Sequence, residues 1–501
     1  MVARRDGPAA EARVVAVLCL LAALRVFLFA AGFPLFNNVD EQAHFDLVHK
    51  YARGHVPGGI ETMDAAAARD MLLYGSPEYL APARSFPGGV APPPVWQLPF
   101  EAIRPAFEAR AAAIAAGPNH ESTQPPLYYA VAALWYRLGG LAGLEGGRAV
   151  YWIRFLDVLV AVLLVGLAWR FAHTLFPGDR FLALGLPLLV AFLPQDALYS
   201  INNDVLVPLA GGAALLGLSV AARDGAARGA AFHAGAGLLV AAAVLVKVSA
   251  LPLLAVALVA AALVVRRAAP ARRRAARRRA LALLAGAVVP LLAWGARNVA
   301  LGGDPTGSAV KAALLGWTPQ TAAGVLAHPI LTPGGLATFW RETLASFWRG
   351  EFTWGLERIA SPGWDRFYAV SSALLPLAAV AALVFRRRSS APETRLALWL
   401  GVVAFLSALG FLAALSVAWD FGACFYPSRD HPYLTSGRLA LAALLPFAAL
   451  WLKGLEALLP WPRATRLRWA LLVALAVLMT VSELALSRDA LRSAYNWFRL
   501  A

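Results

Sequence analysis

Charge is scarce in this chain. Only 15% of its 501 residues are Asp, Glu, Lys or Arg, and the acids are outnumbered 29 to 45. Together with 60% hydrophobic residues and a mean hydropathy of +0.62, that scarcity excludes a soluble globular domain and a disordered chain alike. Cysteine is nearly absent: Cys19 lies in the first apolar run and Cys424 in a late loop, at different expected depths, so neither a disulfide framework nor a cysteine metal site is supported. Period-two alternation is missing, which argues against a membrane β-barrel. What is present is a succession of Leu/Ala/Val runs, each of roughly 17 to 22 residues and long enough to cross about 30 Å of hydrocarbon. The fold class expected is an all-α polytopic membrane protein.

A formal net charge of +16 would suit nucleic acid, but the arginines lie in short blocks between apolar runs, where they report topology, and no nucleic-acid partner is implied. The blocks are Arg4/Arg5, Arg170/Arg180, Arg223/Arg228, Arg266 to Arg279, Arg386/Arg387/Arg388/Arg395 and Lys453/Arg463/Arg466/Arg468. All six are cytoplasmic under a single parity. It requires about eleven spans, near 13–33, 150–169, 181–200, 205–222, 232–246, 249–265, 281–300, 367–385, 396–417, 437–452 and 469–487, with the N-terminus inside. The first run has no small-residue cleavage site and reads as an uncleaved helix. The segment 124–144 reads as a helix at the outer interface. External segments then cover about 34–149, 301–366 and 418–436, with tight turns at 202–204 and 247–249. Residues 1–265 read as an N-terminal module and 266–501 as a C-terminal membrane region. An Ala/Arg-rich chain with few lysines points to a bacterial plasma membrane.

Arg25, Arg154, Asp157, Lys247, Arg297 and Glu483 all fall in the outer halves of their spans or at the outer membrane edge. Charge inside a membrane marks function by default. A transporter needs polar groups through both halves, so one-sided polarity favours a site at one face. Asp40, Glu41 and His44 follow the first span at the start of a helix expected over 39–52. There they form a candidate divalent-cation site, or supply a general base. The alternative is structural, with Asn38 and Glu41 forming a capping box. Asp196 and Asp204 bracket the second turn, where Asn203 or Asp204 also suits a helix cap. Lys247, Arg297 and Arg438 suit a lipid-linked phosphate, or snorkelling to head groups. Trp348, Trp354 and Trp364 suit stacking on sugars or an interfacial aromatic belt. His120, Glu121 and Gln124 add a weak polar signal.

In order along the chain, Asp40-Glu41, Gln124-Pro125-Pro126-Leu127-Tyr128-Tyr129, Asn203-Asp204, Val246-Lys247-Val248-Ser249-Ala250, Arg297-Asn298 with Gly303-Asp304-Pro305, and Ser436-Gly437-Arg438 resemble the marks of GT-C integral membrane glycosyltransferases. The likeness is to the bacterial branch related to protein O-mannosyltransferases and aminoarabinose transferases. Gln124 stands where that family has histidine. The resemblance implies transfer of a sugar from a polyprenyl-phosphate donor to a glycan, lipid or protein acceptor on the extracytoplasmic face. Asp40 would be the base, with Glu41 and Asp204 as support or metal ligands. Lys247, Arg297 and Arg438 would stabilise phosphate, and His44, Gln124, Tyr128 and Asp196 would contact substrate. No cofactor is fixed by it, and a divalent cation stays open. The competing expectation is a transporter or a non-catalytic assembly protein for lipid-linked envelope glycans.

Overall fold

The computed structural model describes residues 8–38, 40–385, 391–461 and 464–500. Arg4, Arg5, Arg386, Arg387, Arg388 and Arg463, used above for topology, lie outside the described residues. The chain is an all-α polytopic bundle; strand appears, among the described residues, only as three two-residue antiparallel pairs in the connections. Among the described residues, nine helices are long and apolar enough to cross a membrane, and they match nine of the eleven expected spans.

The other two are shorter. Ala230–Val246 holds 17 residues. The span expected over 181–200 is corrected: the helix Arg180–Ala191 stops after 12 residues, because Pro194 cannot continue it, and the chain turns through the 3-10 segment Asp196–Tyr199. Between Gln124 and Leu144 the chain forms a 15-residue helix, Leu127–Leu141, which packs on Glu41–Ala52 and on Gly146–Leu175. Trp135 and Trp152 lock that last contact: their rings stack at 4.3 Å, and each indole N–H donates to the other residue's carbonyl.

Helix pairs approach closely where glycine removes the side chain. A Cβ on Gly237 would lie 2.0 Å from the Leu283 carbonyl, and one on Gly286 would lie 2.2 Å from that of Ala234, so Ala230–Val246 and Arg273–Ala300 touch backbone to backbone. One continuous buried core runs from Val15 to Ala490, through both expected modules. Within it Asp157 is buried with neither carboxylate oxygen hydrogen-bonded, whereas Arg154 is paired with Glu41 and Arg25 with Glu483. Arg25 binds Glu483 at 2.5 Å and also donates to the Leu193 carbonyl.

The connections 33–145, 192–202, 247–252, 301–361 and 419–436 gather at one end of the bundle, where Lys247 meets Asp204, Lys311 meets Glu121 and Arg438 meets Asp40. The arginine-rich connections meet at the other, where Arg223 donates to the Thr174 carbonyl, Arg267 to that of Ala222 and Lys453 to Asp179. The first long connection folds onto the bundle as the helices Glu41–Ala52, Ala65–Tyr74 and Phe100–Ala115. The C-terminal segment closes over it: the Tyr151 hydroxyl donates to the carbonyls of Phe33 and Tyr495, and the Tyr495 hydroxyl to that of Pro92.

Candidate functional site

Asp40 precedes the helix Glu41–Ala52 in the left-handed region, at φ 64°. Asp tolerates this conformation better than most residues, but it still costs energy, and such backbone concentrates at functional sites. Its consequence is to point neighbouring acids in opposite directions. Asp40 keeps 28% of its side chain exposed, with Oδ1 3.0 Å from His120 Nε2 and Oδ2 4.0 Å from an Arg438 nitrogen. Glu41 is fully buried, forks onto Arg154 at 2.7 and 2.6 Å, and accepts the Ile201 amide. Arg154 completes the knot by donating to the carbonyls of Phe33 and Pro34.

His120 and Glu121 reach Asp40 because Asn119 pins their loop. Its side chain donates to the Ala43 carbonyl and to Asp46, and accepts the Glu121 amide. Lys311 then enters from the connection after Arg273–Ala300 and donates to Glu121 Oε1. Its helix, Ser308–Leu314, is set by Asp304, which accepts the amides of Thr306 and Ala309. The approach is close: a Cβ on Gly307, at φ 73°, would sit 2.9 Å from the Thr123 carbonyl.

Arg438 occupies the middle. Its Nε lies 3.6 Å from both Asp204 and Glu351, and makes no hydrogen bond. Lys247 binds Asp204 at 2.7 Å, while Arg358 stands 3.6 Å from Glu351. Four carboxylates (Asp40, Glu121, Asp204, Glu351) thus face four fixed cations (Lys247, Lys311, Arg358, Arg438) at one end of the bundle. Asp204 Oδ1 and Glu121 Oε2 are buried without a hydrogen-bond partner. Buried polar atoms are rarely left unmatched, so these two and Arg438 Nε mark where a polar ligand would be held.

The electrostatics follow the geometry. Burial pulls the Asp40 carboxyl up, but the His120 hydrogen bond and the charges of Lys311, His120 and Arg438 outweigh it and hold Asp40 below the usual carboxylate range. Burial likewise opposes ionisation of Glu121, yet Lys311 brings it down to about 2. His120 is raised, because Asp40 and Glu121 overcome its desolvation. His44 is brought down to about 4, chiefly by burial, and hydrogen-bonds the Tyr129 hydroxyl at 2.8 Å. Asp196 is pushed up to about 6 by burial, although Arg438 and the Glu351 amide draw it down.

Of the residues expected from sequence, Asp40, Asp204, Lys247 and Arg438 come together. Asp196 supports them from behind by accepting the Glu351 amide at 3.0 Å. Gln124 accepts from Asn203 at 3.2 Å, and the buried Tyr128 hydroxyl meets the Asn202 backbone, so both brace the turn that carries Asp204. Several expectations are corrected. The capping box does not form: Asp40, not Asn38, takes the N-cap, and the Asn38 side chain donates to Ser200. Asp40, Glu41 and His44 do not make a cation site, since Glu41 is committed to Arg154 and His44 to Tyr129. The three described groups within reach of one ion are Asp40, His120 and Glu121, whose ligand atoms lie within 4.8 Å of one another. Arg297 does not join the cluster; it donates to the Pro57 carbonyl and lies over Trp294. Trp348 is core, 1% exposed and donating to Ser372, and is no platform for a sugar. Lys311, Glu351 and Arg358 escaped the sequence reading, because each is a charged residue in a connection with no spacing signal.

The chain is similar in structure to several solved proteins, among them three at 12 to 16% identity. Arabinosyltransferase EmbB from Mycobacterium smegmatis matches at a TM-score of 0.41 over 90% of this chain and 32% of its own. Archaeal oligosaccharyltransferase AglB from Archaeoglobus fulgidus, solved with an inhibitory peptide and a dolichol-phosphate, matches at 0.43 over 96% and 55%. An Archaeoglobus fulgidus oligosaccharyltransferase tethered to an acceptor peptide matches at 0.45 over 98% and 56%. The chain thus spans 32 to 56% of the length of these proteins. All three likenesses are weak, and the chemistry of the site does not rest on them. No curated protein matches the sequence. A family model does, over residues 24–420, which is most of the chain and includes every cluster residue except Arg438; the chain belongs to the family described as predicted membrane protein, DUF2142.

Proposed function

We propose that this protein is a membrane glycosyltransferase, moving a sugar from a polyprenyl-phosphate donor to an acceptor hydroxyl on the membrane face opposite the arginine-rich connections. One observation carries the reading: a single partly exposed carboxylate, Asp40, stands beside a group of fixed cations at one end of an apolar bundle. An inverting displacement needs both parts. Asp40 takes the acceptor proton as the acceptor oxygen bonds to the anomeric carbon. The bond from that carbon to the phosphate oxygen breaks, and the phosphate leaves with the electron pair. Lys247 and Arg438 are aimed at the charge that grows there, and Arg438, with a free Nε and a planar fork, suits a phosphate better than a point charge would.

Asp40 is a weak base while His120, Lys311 and Arg438 all draw on it. A bound phosphate would engage Arg438 and relax that pull, so basicity would rise only when donor is present. Asp204 and Glu351 hold Arg438 between them at equal distances. The gathering of these groups at one end suits a donor whose lipid stays in the bilayer while its sugar is handled at the surface.

The test is sugar transfer or release from a panel of radiolabelled polyprenyl-phosphate sugars by purified protein in lipid vesicles, with Asp40→Asn alongside. Turnover that vanishes in the variant supports the reading. Movement of a lipid-linked glycan across the membrane without bond cleavage, unaffected by Asp40→Asn, would replace it with transport.

A further inference from the structure

Asp40, His120 and Glu121 offer two carboxylates and an imidazole, the donor set of a divalent-cation site. A protein cation already stands in it. Lys311 binds Glu121 Oε1, and its charge also acts on Asp40. We propose that the Lys311 ammonium takes the place of a divalent metal ion in this centre, so that the site works without one.

Three observations carry this. The first is charge. Glu121 already pairs with Lys311, and Asp40 with His120 and Arg438, so a dication added between these two carboxylates would stand against protein cations in a largely buried site, where uncompensated charge is costly. The second is the histidine. His120 Nε2 faces Asp40 Oδ1 at 3.0 Å and is only 3.5 Å from Glu121 Oε1. With carboxylate oxygens on two sides, the nitrogen serves as a proton donor, whereas a metal requires its lone pair. The third is delivery. The lysine reaches Glu121 on a turn fixed by Asp304 and by the close passage of Gly307 past Thr123, two residues from Glu121. The whole chain has only four lysines, and Lys247 and Lys311 both come to this cluster, so Lys311 is no ordinary surface residue.

If the transferase reading holds, Lys311 keeps Asp40 ionised, a task a metal would otherwise perform. The metal-exclusion claim itself does not depend on that reading, and its test needs no donor. Tag-free, full-length protein, stripped with EDTA and held in detergent, is titrated with Mn²⁺ while free Mn²⁺ is followed by electron paramagnetic resonance. Wild type is expected to show no stoichiometric binding. Lys311→Ala frees both Glu121 oxygens and is expected to bind one Mn²⁺ per chain, a gain abolished in Lys311→Ala/Asp40→Asn. Lys311→Met preserves the aliphatic stem and serves if the alanine variant does not fold. Wild-type binding of one Mn²⁺ that Asp40→Asn removes would overturn the proposal. So would folded Lys311 variants that gain no binding.

Discussion

Glu41 and Arg154 are joined by two hydrogen bonds of 2.7 and 2.6 Å with their side chains 0% and 1% exposed, while Asp40, one residue earlier, faces the open end of the bundle. The pair ties the first long connection to the helix Gly146–Leu175 and, through the Ile201 amide, to the turn before Asp204. Adjacent carboxylates therefore divide the work, one holding the frame and the other left for chemistry.

Glu41→Gln should consequently cost stability, not chemistry alone. Removing one partner of a buried ion pair strands the other charge, at about 3–5 kcal/mol. Thermal unfolding followed by size-exclusion chromatography should show a large drop in Tm. A variant that melts like wild type would show that Arg154 is satisfied by the carbonyls of Phe33 and Pro34 without Glu41.

Asp40→Asn should do the reverse. The side chain is partly exposed, asparagine also tolerates φ near 64°, and Lys311 keeps Glu121 while Arg438 keeps Asp204 and Glu351, so Tm should fall much less than in Glu41→Gln. Loss of a general base should lower transfer by roughly 100- to 10,000-fold. An Asp40→Asn protein that retains full turnover would remove this residue from the mechanism.

His120 and His44 should give opposite pH signatures. The folded His120 value lies above its ordinary 6.5, so the stability it contributes is complete below 6.5 and is lost as pH rises through the raised value. His44 is depressed to about 4, so its contribution is complete above 6.5 and declines as pH falls towards 4. In melting curves across this range, the gap between wild type and His120→Gln should narrow on the alkaline side, and that for His44→Gln on the acid side. A gap independent of pH in either variant would contradict the corresponding assignment.

The helical frame was legible because hydropathy reports length directly. It erred at Arg180–Ala191, where Pro194 ends a run whose apolar character continues. Asp40, Asp204, Lys247 and Arg438 were legible as isolated charges at the ends of apolar runs. The division of labour between Asp40 and Glu41 was not, since it depends on one positive φ that composition does not encode. Trp348 was misjudged for a related reason: its connection carries the helix Pro333–Arg349, which sinks its last turn into the core. Lys311 acquires meaning only when the 301–361 connection lies against the loop of His120 and Glu121.

Arg438 owes its position to the residue before it. Gly437 passes so close to Pro333–Arg349 that a Cβ would lie 2.2 Å from both the Phe347 nitrogen and the Thr343 oxygen, backbone atoms that cannot swing aside. The Gly437 amide donates to the Ser346 hydroxyl at 2.8 Å, and that hydroxyl donates in turn to the Thr435 carbonyl, so the stretch is stitched on both sides of the contact. Gly437→Ala must push this stretch away and carry the guanidinium from its place 3.6 Å from Asp204 and Glu351. The overpacking should cost about 1–3 kcal/mol of stability, and donor KM should rise with it. Arg438→Lys separates the two effects: it keeps the charge and the close contact but loses the planar fork, so donor KM should rise while Tm holds. If Gly437→Ala lowers Tm but leaves donor KM at the wild-type value, the close passage serves the fold alone, and Arg438 finds its carboxylates without help from it.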